Sequence, residues 1–118
     1  MPGNPKFGKL IRRLREDRKK TDSKYSLRQF AEAVGLSATF VSKMETGEYA
    51  PPSPEKIKNM AEVLGTDPDE LLALAGKIDP ELGEIILEKP KSLPNLLRAV
   101  RGMSEEELRN LIKAAGKK

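Results

Sequence analysis

Four dipeptides punctuate this chain: Asn4-Pro5, Ser53-Pro54, Asp67-Pro68 and Asp79-Pro80. Each sets a side chain able to accept from a free backbone N–H just before a proline. The fixed φ of proline suits the first helical turn, and its missing N–H costs nothing there. Gly35, Gly47, Gly65, Gly76, Gly102 and Gly116 fall where the intervening segments should stop, in positions suited to a left-handed terminating residue. Ser104-Glu105-Glu106-Glu107 reads as a capping box, with Met103 and Leu108 placed for a hydrophobic staple. Between these marks the apolar period is helical. Phe7, Leu10, Ile11 and Leu14 are spaced i, i+3, i+4, i+7, as are Ile57, Met60, Ala61 and Leu64. Leu27, Phe30, Ala31 and Val34 repeat the pattern, and Leu108, Leu111, Ile112 and Ala115 close it. No segment alternates with period two for long enough to propose a sheet. The expected fold is all-α, built from about eight short helices.

Five of these helices fit between residues 5 and 76. "RKKTDSKY" (18–25) is polar and basic and shows no apolar anchor, so it reads as the end of the first helix plus an exposed loop. Three further segments follow Gly76, near 80–89, 93–101 and 105–115, interrupted by the two prolines of "KPKSLP". The expected division is a domain over residues 1–76 and a helical extension over 77–118. Leu82, Ile85, Ile86, Leu93, Leu96, Leu97 and Val100 give that extension apolar stripes on helices too short to be stable alone. They need a surface, either the first domain or another chain.

Composition narrows the chemistry. The 118 residues include no cysteine and no histidine, which removes disulfides, thiolate–imidazole metal sites and histidine-based nucleophile systems together. No glycine-rich phosphate loop or metal-ligand set is present, and Asp67, Asp69 and Glu70 sit at a helix start, where capping explains them. No enzyme activity, cofactor or metal is expected. The N-terminus has no apolar signal region and no run approaches the ~18 residues of a membrane span, so a soluble, cytoplasmic protein of bacterial or phage origin is expected. The net charge is only +4, but ten of the 22 Lys and Arg residues lie in residues 1–28, against three of the 18 acidic ones. A basic end on a near-neutral body suits a polyanionic partner, and equally describes a solvated basic helix.

The most informative stretch is a pair of helices. "SLRQFAEAVG" starts at a capping Ser26, and "LSATFVSKMETG" starts at a capping Ser37, with only Gly35-Leu36-Ser37 between them. So short a turn makes the second helix cross the first steeply. Ala31 is small enough for the crossing, and Gly35 supplies the positive φ such a turn needs. Phe40, Val41 and Met44 are expected in the core. The opposite face keeps only Ala38, Thr39, Ser42 and Lys43, small groups with one cation.

With Ala31, Gly35, Val41 and Met44 at this spacing, the "SKMETG" ending and "PSPEKIKNMAEVLGTDPDELL" after it, the chain closely resembles the XRE family of phage repressor and Cro-like helix-turn-helix regulators. The resemblance covers about residues 6–75, with the motif near 27–46. It implies a five-helix lambda-repressor-like DNA-binding domain, followed here by a short α-helical C-terminal extension. It implies that residues 37–46 form a recognition helix in the major groove of double-stranded DNA, bound by a homodimer. Positions matching the family's base-facing ones are Ala38, Thr39, Ser42 and Lys43, with Ser37 at the helix start. Ser37 is a cap first and a base contact second. Lys43 suits either guanine O6 and N7 or a phosphate, and the methyls of Ala38 and Thr39 suit thymine methyl groups. The resemblance further implies a structural ion pair between Arg15 and Glu45.

Two features depart from the pattern. The family commonly places a phosphate-binding glutamine at the first motif position, where this chain has Leu27, leaving that contact absent or transferred to Arg28. The loop between the first two helices is also long for the family. Its Arg18, Lys19, Lys20 and Lys24 either touch the DNA backbone or simply keep the loop solvated. The function implied is transcriptional regulation, most commonly repression, with the extension as the expected dimer contact. The rival is an antitoxin or adaptor using the same fold to bind a protein. No membrane partner is expected, and the sequence leaves any small-molecule effector or protein partner open.

Overall fold

A computed structural model describes residues 3–116. Within them lie α1 (Pro5–Lys19), a 3-10 turn (Ser23–Tyr25), α2 (Leu27–Val34), α3 (Ala38–Glu45), α4 (Pro54–Leu64) and α5 (Pro68–Leu74). They are followed by α6 (Pro80–Glu88), α7 (Ser92–Val100) and α8 (Glu105–Gly116). No strand occurs among the described residues. The chain divides into two compact units, the first running to Pro80 and the second starting at Glu81.

Side-chain caps start the helices of the first unit. Asn4 Oδ1 accepts from Phe7 N at 3.0 Å, Ser37 Oγ from Phe40 N at 3.0 Å and Asp67 Oδ1 from Asp69 N at 2.8 Å. Each bond satisfies an N–H that the helix itself leaves free. The amide of Asn4 also donates to Leu74 O at 3.0 Å, so one residue starts α1 and ties it to the end of α5. Gly35 ends α2 at φ +78°, and Leu36 N reaches back to Ala31 O at 2.9 Å, the bond that turns the chain into α3. Gly102 and Gly116 do not take the left-handed role expected of them: Arg101 caps α7 in the right-handed region, and Gly116 is the last residue of α8.

The core draws on all five helices of the first unit. Phe7 and Ile11 from α1 meet Phe30, Ala31 and Val34 from α2, Val41 and Met44 from α3, Ile57, Met60, Ala61 and Leu64 from α4, and Leu71 and Leu72 from α5. Phe40 is not among them, contrary to expectation. It is half-buried at the rim, its ring 5.5 Å from that of Tyr49 at 53°. The 18–25 loop is also better anchored than its composition suggests. Tyr25 is half-buried against the core, its hydroxyl donates to Val63 O at 3.1 Å, and Asp22 caps the 3-10 turn around it. An aromatic ring with a polar tip serves here as the apolar anchor.

Gly8 lies inside α1, where a glycine ordinarily weakens a helix. The structure supplies a reason: a Cβ at Gly8 would collide with the carbonyl oxygens of Met44 and Glu45, so α1 crosses the end of α3 backbone to backbone. In the second unit no described residue of α6, α7 or α8 is buried, and Leu87, Leu97 and Ile112 are exposed. The capping box is formed there: Ser104 N donates to Glu107 Oε1 at 2.8 Å, and Glu107 N to Ser104 Oγ at 3.1 Å.

Gly8→Ala is expected to lower stability by roughly 1–3 kcal/mol, because the added methyl group meets backbone that cannot rotate away. Gly83→Ala, inside α6 with nothing within 4 Å of its Cβ, is expected to raise helix content instead. Thermal unfolding followed by circular dichroism separates the two.

Candidate nucleic-acid interface

Helix α3 has two unlike faces, and its inward one is fixed by more than apolar contact. Val41, Met44 and Glu45 are buried. Arg15, projecting from α1, is 4% exposed and grips Glu45, 6% exposed, through two parallel bonds: Nε to Oε2 at 2.8 Å and a terminal guanidinium nitrogen to Oε1 at 2.9 Å. The other terminal nitrogen donates to Tyr25 O at 3.2 Å, and Glu16 accepts a weaker contact at 3.5 Å. The hydrogen bonds to Glu45 hold the guanidinium pKa above its ordinary value, against the opposing effect of burial. A planar fork on a carboxylate fixes both distance and angle. With Gly8 pressed against the same end, the C-terminal turn of α3 is locked onto α1.

The outward face holds the small groups. Ala38, Thr39, Ser42 and Lys43 line one open concavity with Leu27 of α2 and Glu48 of the following loop. Thr39 is exposed; Ala38, Ser42 and Lys43 are half-buried. Ser37 is exposed and its oxygen accepts the capping bond, which leaves its O–H proton and second lone pair for a base contact. Arg28 is exposed in the first turn of α2, beside Leu27. Lys19, Lys20 and Lys24 are exposed around the end of α1 and the 3-10 turn and do not line the concavity. Lys20 lies 3.8 Å from Asp17.

Two residues at this surface escape a reading of local sequence. Glu48 Oε1 lies 3.5 Å from Lys43 Nζ, and the same ammonium sits 6.0 Å from the centre of the Tyr49 ring. Both arrive because the loop folds back on α3: Lys43 O accepts from Glu48 N at 2.9 Å and from Tyr49 N at 3.2 Å. The signal was the Gly47 turn, which takes φ +87°. Leu27 lines this hollow, where the expected pattern has a phosphate-binding amide.

The helix-turn-helix domain family matches residues 6–74. The chain belongs to the helix-turn-helix family. Two proteins of Bacillus subtilis (strain 168) are similar to this helix-turn-helix chain. The HTH-type transcriptional regulator RghRB is 39% identical over 72 residues, 61% of this chain and 48% of its own. The HTH-type transcriptional repressor RghR is 38% identical over 73 residues, 62% of this chain and 50% of its own. The chain thus spans about half the length of either relative. A solved SinR protein/SinI protein complex is 21% identical, with a TM-score of 0.49, covering 92% of this chain and 93% of that one.

Removing one partner of the buried fork leaves the other charge stranded. Glu45→Gln or Glu45→Ala is expected to cost about 3–5 kcal/mol, whereas the double change Arg15→Met, Glu45→Leu is expected to be far less damaging or neutral. Urea unfolding of the three variants checks this; a single variant as stable as the parent would show that the fork does not hold α3.

Proposed function

We propose that this helix-turn-helix protein is a sequence-specific DNA-binding transcriptional regulator, a repressor, that reads the major groove with residues 37–46. The observation that carries the reading is the contrast between the two faces of α3. One is locked by a buried bidentate ion pair, and the other offers small donors, acceptors and methyl groups in a single open hollow. Rigid placement of short side chains is what base readout requires, since each hydrogen bond must meet a fixed edge. The similarity to a transcriptional regulator and a transcriptional repressor supports the same reading.

In this mechanism phosphates position the protein and bases specify the site. Arg28, at the start of α2, meets the backbone in place of the glutamine that Leu27 replaces. Lys19, Lys20 and Lys24 add attraction along the adjoining strand. Ser42, Thr39 and Lys43 hydrogen-bond to base edges, and the methyls of Ala38 and Thr39 pack on thymine. The protein acts without cofactor or catalysis, in the cytoplasm of a bacterium or of a phage host. Two half-sites one helical turn apart need two copies, and the exposed apolar side chains of residues 77–118 supply the contact between them. Light scattering that finds a monomer at the concentrations that bind DNA would remove the dimer from this proposal.

A mobility-shift titration on the DNA upstream of its own gene tests the reading. Ser42→Ala and Lys43→Ala are expected to lose about 1–3 kcal/mol on the specific site. Arg28→Ala is expected to weaken all sequences alike and to reduce the salt slope by about 1. Wild-type protein indifferent to sequence would sink the proposal and favour the adaptor alternative.

A further inference from the structure

Glu48 is an anomaly at a surface assigned to DNA, because a carboxylate is repelled by every phosphate it approaches. It lines the same hollow as Thr39, Ser42 and Lys43, and its carboxylate has two polar neighbours there. The Thr46 hydroxyl lies 3.0 Å from Lys43 O and 3.3 Å from Glu48 Oε2 and donates to one of them at a time, while Glu48 Oε1 faces Lys43 Nζ at 3.5 Å. The centre of the Tyr49 ring lies 6.0 Å from the ammonium and 5.5 Å from that of Phe40. An anion and a cation are therefore presented side by side, 3.5 Å apart, on the outward edge of α3.

In the major groove a carboxylate finds favourable partners only in exocyclic amino groups, those of cytosine N4 and adenine N6. An ammonium needs acceptors. Along a G·C pair the edge runs N7 acceptor, O6 acceptor, N4 donor, with O6 and N4 about 2.9 Å apart because they are hydrogen-bonded to each other. That spacing and order match a lysine beside a glutamate, the ammonium over O6 and N7 and the carboxylate beside N4. An A·T pair places its donor between two acceptors, which separates the acceptors the ammonium would share. Resting on the DNA-binding reading above, we infer that Glu48 is a specificity-determining residue that reads one G·C pair of each half-site jointly with Lys43. Lys43 donates to guanine, and Glu48 accepts from the cytosine of the same pair. The two charges already lie together before binding.

Selection of bound sites from random duplex DNA by the full-length protein, by Glu48→Gln and by Lys43→Gln tests this. Wild type is expected to select one G·C position per half-site whose preference falls roughly tenfold in Glu48→Gln. The other positions hold, and affinity for unselected DNA does not fall. Lys43→Gln is expected to weaken preference at that same position. Unfolding temperatures of the variants establish that the change is not one of folding. The inference is overturned if Glu48→Gln keeps wild-type preference everywhere, or loses affinity uniformly. It is equally overturned if Glu48→Gln alters an A·T position, or if the two variants alter different positions. Wild type that selects no sequence removes the DNA reading itself, and this inference with it.

Discussion

The bidentate contact between Arg15 and Glu45 is the constraint on which the rest of this surface depends. Two charges are taken out of water, which costs more than an apolar pair of the same size would. In return the C-terminal turn of α3 is fixed in distance and angle relative to α1. Gly8 sharpens the same constraint by letting the two backbones meet. The N-terminal end is set separately, by the Gly35 turn and the Ser37 cap. A helix of eight residues held at both ends needs little of its outward face for stability. That face is consequently free to be small, polar and specific.

The helices were legible because their causes are local. Asn4, Ser26, Ser37, Ser53 and Asp67 each cap the helix that follows them, and each does so with a bond to a residue two or three positions on. The i, i+3, i+4 spacing identified Phe7, Ile11, Ile57 and Met60 as inward-facing. What local pattern could not carry is contact across distance or around a left-handed turn. The role of Gly8 depends on a helix thirty-odd residues away. Tyr25 sits in a segment whose composition is almost wholly polar, yet its hydroxyl finds Val63. Phe40 has the spacing of a core residue but meets Tyr49, which the Gly47 turn brings back. Glu48 is five residues from Lys43, a separation at which an unbroken helix would not pair them. The Arg15–Glu45 contact was implied by family resemblance; periodicity alone marks Arg15 only as a charge on the buried side of α1.

Charge along α1 is divided by the same geometry. Arg15 turns inward and is spent on holding α3, whereas Lys6, Lys9, Arg12 and Arg13 stay exposed. With Arg28, Lys19, Lys20 and Lys24 they concentrate positive charge in residues 1–28, outside the concavity itself. In the proposed reading, long-range attraction to a polyanion and short-range reading of its surface fall to different residues. Among the described residues the second unit buries nothing fully, and its amphipathic helices keep leucine and isoleucine side chains in water. In the proposed reading they meet a second copy of the chain.

The central claim is that the outward face of α3 meets DNA. Amide chemical shifts of the full-length protein, followed by NMR as a selected duplex is added, test it most directly. The largest changes are expected at Ser37, Thr39, Ser42 and Lys43, with Arg28 and the loop through Glu48, while the Arg15–Glu45 region keeps its protection from exchange. Shifts confined to α6–α8, or none beyond those produced by unrelated DNA, would contradict it.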